Sequence, residues 1–154
     1  MTTLSNQIVL MPGQGKHIDV PGHPIEFKAT SGDTRGAYAL IEGRVTGDGP
    51  PQHVHQHEEE AFYILEGELN VKLGDETVNA KPGAFILVPR GTTHTFWNAG
   101  STPAKLLVLF SPGGFEDYFA EVVGEGNIDT ETFIARGMAV AEKYHLDIVG
   151  PPLG

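Results

Sequence analysis

The sequence of 154 residues contains no cysteine, which excludes disulfide bonds, thiol nucleophiles and zinc sites built on cysteine. Long apolar runs are also missing, since none approaches the roughly 18 residues that a membrane-spanning helix needs. Basic residues are few: ten Lys and Arg stand against twenty Asp and Glu, for a formal charge of −10. Nucleic-acid binding requires a basic surface. The composition therefore excludes nucleic acid as a partner and argues against binding to an anionic membrane.

The stretch from Met1 to Leu10 has no basic region followed by an apolar one, so no secretory signal is predicted. The absence of cysteine is compatible with a reducing compartment. Together these features predict a cytoplasmic protein.

Glycine and proline are abundant, at 20 and 11 residues. A disordered chain of that kind would be poor in β-branched and aromatic residues, whereas here the glycines and prolines separate short apolar runs. The hydrophobic share of 40% is enough for one core. The sequence therefore predicts a single all-β domain over residues 1–154.

Short segments that alternate or are mainly apolar, separated by turn residues, predict nine or ten short strands. They are residues 25–29, 37–45, 52–57, 60–65, 69–73, 76–80, 84–88, 93–98 and 105–110, with 7–10 as a further candidate. Residues 12–24 are predicted to form a turn-rich connection.

The chain changes character after Pro112, where apolar residues recur at the spacing of one helix face. These residues are Phe115, Tyr118, Phe119 and Val122. We expect a barrel over about 25–111 and a helical tail over about 113–146. The apolar face of the tail should pack on the barrel, because an exposed stripe of that size promotes aggregation.

A second tail helix is predicted from Asp129 and Thr130, which are capping residues, to about Tyr144. Gly137 is expected to be a weak point inside this helix.

Histidines and a glutamate of metal-ligand type lie beside turn residues. His53 and His55 are two apart on a predicted strand, so they share a face. Glu60 opens the next strand, which a bend over residues 56–59 returns antiparallel, and His94 begins a strand after the turn at Pro89 and Gly91. Each feature alone has an ordinary explanation: a surface His-x-His, a solvated acidic run, or a histidine of the core or a turn. Their combination favours a site at which these side chains reach one ion.

The two stretches resemble the two signature motifs of the cupin superfamily. The pattern G-x5-H-x-H-x4-E-x6-G is met by Gly47, His53, His55, Glu60 and Gly67, and the pattern G-x5-P-x-G-x2-H-x3-N by Gly83, Pro89, Gly91, His94 and Asn98. All ten positions agree. The resemblance implies a double-stranded β-helix, or jelly roll, with a short C-terminal helical segment, and it implies His53, His55, Glu60 and His94 as metal ligands.

Three imidazoles and one carboxylate suit one divalent transition metal ion, namely Fe, Mn, Ni, Co, Cu or Zn. His57 lies in the bend after the ligand strand and is expected at the rim of the site. Asn98 either supports His94 from behind or serves the turn that follows it.

The tail begins Ser111-Pro-Gly-Gly-Phe115 and ends near Gly150-Pro-Pro, and it is similar to that of bacterial single-domain cupins of the quercetinase-like group. This resemblance implies a metal-dependent, quercetin 2,3-dioxygenase-like enzyme that acts on a flavonol-like or other enolic aromatic small molecule. Glu60 would be both a ligand and the catalytic base, whereas Glu58 and Glu59 are expected to be dispensable. Small cupins are commonly dimers, so a homodimer is expected.

Candidates for an apolar pocket wall are Phe62, Phe85, Phe96 and Trp97. Strand alternation allows only one of Phe96 and Trp97 to face inward. Two other functions stay open: a non-oxidative metal cupin such as a polyketide cyclase or isomerase, and a small-molecule-binding cupin without turnover.

Overall fold

The computed structural model describes residues 7–154 and forms eleven strands and three α-helices within that range. The strands are β1 (Lys16–Ile18), β2 (Ile25–Ala29), β3 (Ala39–Val45), β4 (Gln52–His55), β5 (Glu59–Glu66), β6 (Leu69–Leu73), β7 (Glu76–Ala80), β8 (Phe85–Val88), β9 (His94–Asn98), β10 (Ala104–Ser111) and β11 (Leu146–Gly150). The helices are α1 (Ser31–Thr34), α2 (Glu116–Val123) and α3 (Thr130–Val140), followed by a 3₁₀ turn at Ala141–Tyr144. Residues 1–6, which include part of the stretch used to predict the absence of a leader, lie outside the described residues.

The strands form two antiparallel sheets. The first has six strands in the order β1-β2-β3-β10-β5-β8, and the second has five in the order β11-β4-β9-β6-β7. Along β10, every second side chain is buried, from Ala104 to Phe110, as expected for a strand with one face on a core. The inward faces of the two sheets make up most of the core. The prediction of a jelly-roll β fold with a short C-terminal helical segment is confirmed.

The tail packs on the barrel as its spacing predicts. The side chains of the predicted apolar face are buried. Asp129 caps α3 by accepting the Thr132 backbone N–H at 2.7 Å. Gly137 is a packing position rather than a weak point, because a Cβ added there would overlap the Tyr118 hydroxyl oxygen.

Three differences from the sequence predictions concern strands. Residues 7–10 form no strand. The turn-rich connection contains the three-residue strand β1, which pairs with β2 and is too short to show a period. The end of the tail forms β11, which pairs with β4. Among the described residues, no helix has the length and apolarity needed to cross a bilayer.

Candidate metal centre

The four predicted ligand residues converge between the two sheets. His53 and His55 lie on β4, His94 on β9 and Glu60 near the start of β5. All four side chains are buried, and one potential ligand atom from each lies within 4.8 Å of all the others. Glu60 Oε1 is 2.7 Å from His94 Nε2 and 3.7 Å from His55 Nε2. The carboxylate thus comes from one sheet and the three imidazoles from the other.

Two backbone features bring His94 to the other ligands. Gly91 adopts φ +80°, a conformation that suits glycine, and turns the chain between β8 and β9. Its N–H donates to the His55 carbonyl at 2.9 Å. On β9, His94 is then the register partner of His53 on β4, so these two imidazoles lie side by side.

Backbone carbonyls orient two of the three histidines. His53 Nδ1 donates to the Pro51 carbonyl at 2.7 Å, and His94 Nδ1 donates to the Thr92 carbonyl at 2.9 Å. A proton fixed on Nδ1 leaves Nε2 as the nitrogen that is free to bind a metal. These two rings therefore present their ligand nitrogens in advance.

The electrostatics also favour metal-binding forms of the side chains. Burial, and next the neighbouring His94, lower the pKa of His53 to about 3. Burial, followed by the charges of His53 and His94, lowers the pKa of His55 well below its ordinary value. These two imidazoles are therefore neutral, the form that binds metals.

His94 behaves differently. Burial acts to lower its pKa, but the hydrogen bond and the charge of Glu60, with the Thr92 carbonyl, outweigh burial and raise that pKa. A positive charge is thus stabilised between His94 and Glu60, and a divalent cation can supply it in place of a proton.

The residues fit a divalent transition metal. Three imidazole nitrogens and one carboxylate oxygen form a donor set that suits first-row ions. His55 Nε2 lies 3.7 Å from Glu60 Oε1, and Nδ1 has no hydrogen-bond partner among residues 7–154 that would hold the ring away from the cluster. The cluster can therefore bind a divalent transition metal ion.

The structure also shows where the other polar residues of the two motifs lie relative to the cluster. His57 is exposed, with its ring 5.2 Å from that of His145, and it does not belong to the ligand cluster. Asn98 serves the turn: its side-chain amide donates to the carbonyls of Val45 and Thr102, and its oxygen accepts the Gly100 N–H. Glu58 and Glu59 differ sharply, since Glu58 is buried whereas the Glu59 side chain is 43% exposed.

A cavity of about 60 Å³ lies beside the cluster. His53, His55 and Glu60 border it, and apolar side chains form most of the remaining wall. The tail contributes Phe115, whose ring is 4.4 Å from that of His55, and other aromatic residues to the lining of the cavity. These are Tyr118, Phe119 and Phe133.

Only Phe96 of the four predicted wall residues lines this cavity. Phe62 is buried behind it, with its ring 5.4 Å from that of Phe96. Trp97 alternates to the other face of β9 and is half-buried. Phe85 is 64% exposed, and its assignment to the wall is wrong. On β8 it is Val88 that is buried in the core.

His23 was not predicted from the sequence, yet it lines the cavity. Its ring is buried at right angles to those of Phe96, Phe119 and Phe133. Nδ1 donates to the Pro21 carbonyl at 3.3 Å, and burial, despite that bond, lowers the pKa of His23 to about 4. A lone histidine in a Pro- and Gly-rich connection carries no sequence signal for such a role.

Comparison with known proteins matches residues 42–110 to the cupin domain. Quercetin 2,3-dioxygenase from Bacillus subtilis (strain 168) is 28% identical over 112 residues, which are 72% of this chain and 33% of that enzyme. The chain spans between a third and about three fifths of the length of the first curated relatives that it matches.

The similar solved structures include a polyketide cyclase and an RmlC-like cupin. The polyketide cyclase RemF from Streptomyces resistomycificus has a TM-score of 0.60 and 26% identity, and the match covers 68% of this chain and 79% of that one. An RmlC-like cupin from Shewanella frigidimarina has a TM-score of 0.62 and 18% identity, covering 73% and 96% of the two chains. With both signature motifs folded around one buried cluster and with these matches, the chain belongs to the cupin superfamily.

Proposed function

We propose that this protein is a metal-dependent dioxygenase that acts on a compact, mostly apolar enol. One observation carries the proposal: the buried cluster of three histidines and Glu60 opens onto a cavity whose remaining wall is mainly apolar and aromatic. Such a wall favours binding of the apolar part of a substrate, and an oxygen atom of the substrate would then lie at the cluster. The similarity to quercetin 2,3-dioxygenase supports dioxygen as the second substrate.

Cavity size refines the substrate class. Pockets for drug-sized ligands measure about 300–1,000 Å³, whereas this cavity measures about 60 Å³. A flavonol is therefore larger than the space beside the cluster, which Phe115 and Phe119 of the tail help to line. We propose a smaller enol, such as a β-diketone or an enediol.

In the proposed mechanism, His53, His55, His94 and Glu60 hold the ion. A bound divalent ion supplies Lewis acidity, which makes a coordinated hydroxyl group more acidic. Glu60 accepts the enol proton on a carboxylate oxygen, because it borders the cavity and is already held by His94. The aromatic wall excludes water, so the deprotonated substrate is protected from reprotonation by solvent.

The test is oxygen uptake by protein loaded separately with each candidate ion. A series of enols of increasing size, from β-diketones and enediols to a flavonol, should show uptake stoichiometric with substrate loss for the small members. Glu60→Ala should abolish uptake, whereas the matched variant Glu59→Ala should retain it because Glu59 lies outside the cluster. Oxygen uptake with the flavonol alone would contradict the proposed size limit.

A non-oxidative cyclase or isomerase is the second candidate, and the likeness to the polyketide cyclase RemF favours it. The same assay separates the two, because substrate loss with no oxygen uptake would support the cyclase and contradict the dioxygenase. Tight metal binding with no turnover on any substrate would instead support a binding protein.

A further inference from the structure

The three histidines of the cluster differ in what holds their Nδ1 atoms. His53 and His94 each donate from Nδ1 to a backbone carbonyl two residues earlier in the chain. His55 Nδ1 has no hydrogen-bond partner among the described residues. A metal-binding histidine normally donates its second N–H to an acceptor, which fixes the tautomer and the ring orientation. One of the three rings therefore lacks an acceptor in direct contact.

Glu58 lies where that acceptor is needed. Its side chain is buried, and its Oε1 atom has no hydrogen-bond partner within residues 7–154. Oε1 is 3.9 Å from His55 Nδ1, about 1 Å beyond an ordinary hydrogen bond. Leaving a buried carboxylate oxygen and a buried imidazole nitrogen both without partners is unfavourable. The two unpaired atoms face each other, so a small rotation of either side chain would satisfy both.

We propose that Glu58 is a positioning residue that accepts the Nδ1–H of His55 when Nε2 of that ring binds the metal. This inference rests on the metal centre of the proposed function. The bond keeps the proton on Nδ1, holds the ring toward Glu60 and adds negative charge behind a ligand of a cation. Glu58 thereby does for His55 what backbone carbonyls do for the other two histidines.

Glu59 provides the matched control. It is the same residue type one position later, but its carboxylate is partly exposed and lies 3.9 Å from Arg90 Nη1, outside the cluster. The sequence expectation treated Glu58 and Glu59 as equally dispensable. The structure separates them, because Glu58, just before β5, is buried beside His55, whereas Glu59, the first residue of β5, is partly exposed.

The experiment measures Zn²⁺ and Co²⁺ affinity by competition with a chromophoric chelator, together with the melting temperature of the metal-free protein. Glu58→Leu should weaken affinity by roughly 10–100-fold, as is usual when such a partner is removed. It should not lower the melting temperature of the metal-free protein, because it replaces a buried carboxylate that has one oxygen without a hydrogen-bond partner with an apolar side chain. Glu58→Gln keeps an acceptor oxygen and should restore most of the affinity, while Glu59→Leu should bind both metals like the original protein.

Unchanged affinity in Glu58→Leu, or an equal loss in Glu58→Gln, would overturn the positioning role while leaving the metal centre intact. Failure of the unaltered protein to bind either metal would overturn both proposals. A second measurement needs no variant: ¹H–¹⁵N NMR of the Zn²⁺-loaded protein should show a protonated Nδ1 on His55 that exchanges slowly with water. Metal bound at Nδ1 of that ring would contradict the inference directly.

Discussion

Gly137 lies on the buried side of α3, and its hydrogen side chain makes room for the Tyr118 hydroxyl. In an exposed helix, Gly→Ala stabilises a protein by about 0.5–1 kcal/mol. Here the added methyl group would overlap the hydroxyl oxygen and lie 3.3 Å from Tyr118 Cζ. Tyr118 is buried and stacked on Phe115 with ring centroids 5.0 Å apart, so it cannot move without disturbing the cavity wall.

Overpacking of this kind costs about 1–3 kcal/mol, which exceeds the gain in helix propensity. Gly137→Ala should therefore lower the free energy of unfolding by about 1 kcal/mol, which corresponds to about 2–4 °C in melting temperature for a chain of this size. Tyr118→Phe removes the hydroxyl oxygen that the added methyl group would overlap. This substitution breaks no hydrogen bond, because the Tyr118 hydroxyl makes none within residues 7–154. In the Tyr118→Phe background, Gly137→Ala should become neutral or stabilising by up to about 1 kcal/mol.

The assay is urea unfolding of the original protein, the two single variants and the double variant. The four free energies of unfolding form a double-mutant cycle. The double variant should be about 1–2 kcal/mol more stable than the sum of the two single effects predicts. A stabilising Gly137→Ala in the original background, or a coupling near zero, would refute the contact between α2 and α3 as the reason for glycine at this position.

Three further predictions concern the site and the tail. Glu60→Gln should reduce Zn²⁺ affinity, measured by chelator competition, by more than the roughly 10–100-fold expected when a residue that only hydrogen-bonds a ligand is removed. The control variant Glu59→Gln should show no loss of affinity. His23 has a pKa of about 4 in the folded protein against 6.5 when unfolded. Between those values the unfolded chain binds a proton that the folded protein does not, so stability falls as the pH falls. Relative to His23→Phe, the metal-free protein should lose about 2 kcal/mol of unfolding free energy between pH 7.5 and pH 5, and parallel pH profiles would contradict this. Deleting residues 112–154 removes the burial of Phe115, Tyr118, Phe119 and Val122, on the order of 6 kcal/mol before entropy, and should lower the melting temperature steeply. A truncated protein that melts at the original temperature would show that the tail is not a structural cover.

The ligand strands could be predicted because their signals are local. His53 and His55 share a face through the two-residue period of a strand, and Gly91 marks the turn that returns the chain to His94. The helices of the tail were likewise visible from apolar spacing and from the Asp129 cap. Each of these features depends on residues within about ten positions of one another.

The features that sequence reasoning missed depend on distant contacts or on missing periodicity. Ala84 to Val88 is a continuous apolar run, so its pattern does not show which face is inward, and Phe85 was assigned to the wrong side. Glu58 sits in an acidic triplet that is indistinguishable from a solvated run until the fold buries it. The size of the cavity depends on how the tail aromatics pack over the barrel, which no local pattern encodes.

The tail provides none of the four candidate ligands, but it matters to the cluster because it supports the strand β4. β4 carries both His53 and His55, yet its pairing with β9 consists of the single register pair His53–His94. On its other side, β11 pairs with β4 along its full length, from Leu146 opposite His55 to Gly150 opposite Gln52. Without β11, β4 would be an edge strand held by that register pair and by the Gly91 N–H bond to the His55 carbonyl, and strands held so weakly are prone to shift register. A one-residue shift would turn both imidazoles away from Glu60. The C-terminal strand therefore fixes the geometry of the candidate metal centre, and the tail helices, which line the cavity, also lead the chain to that strand.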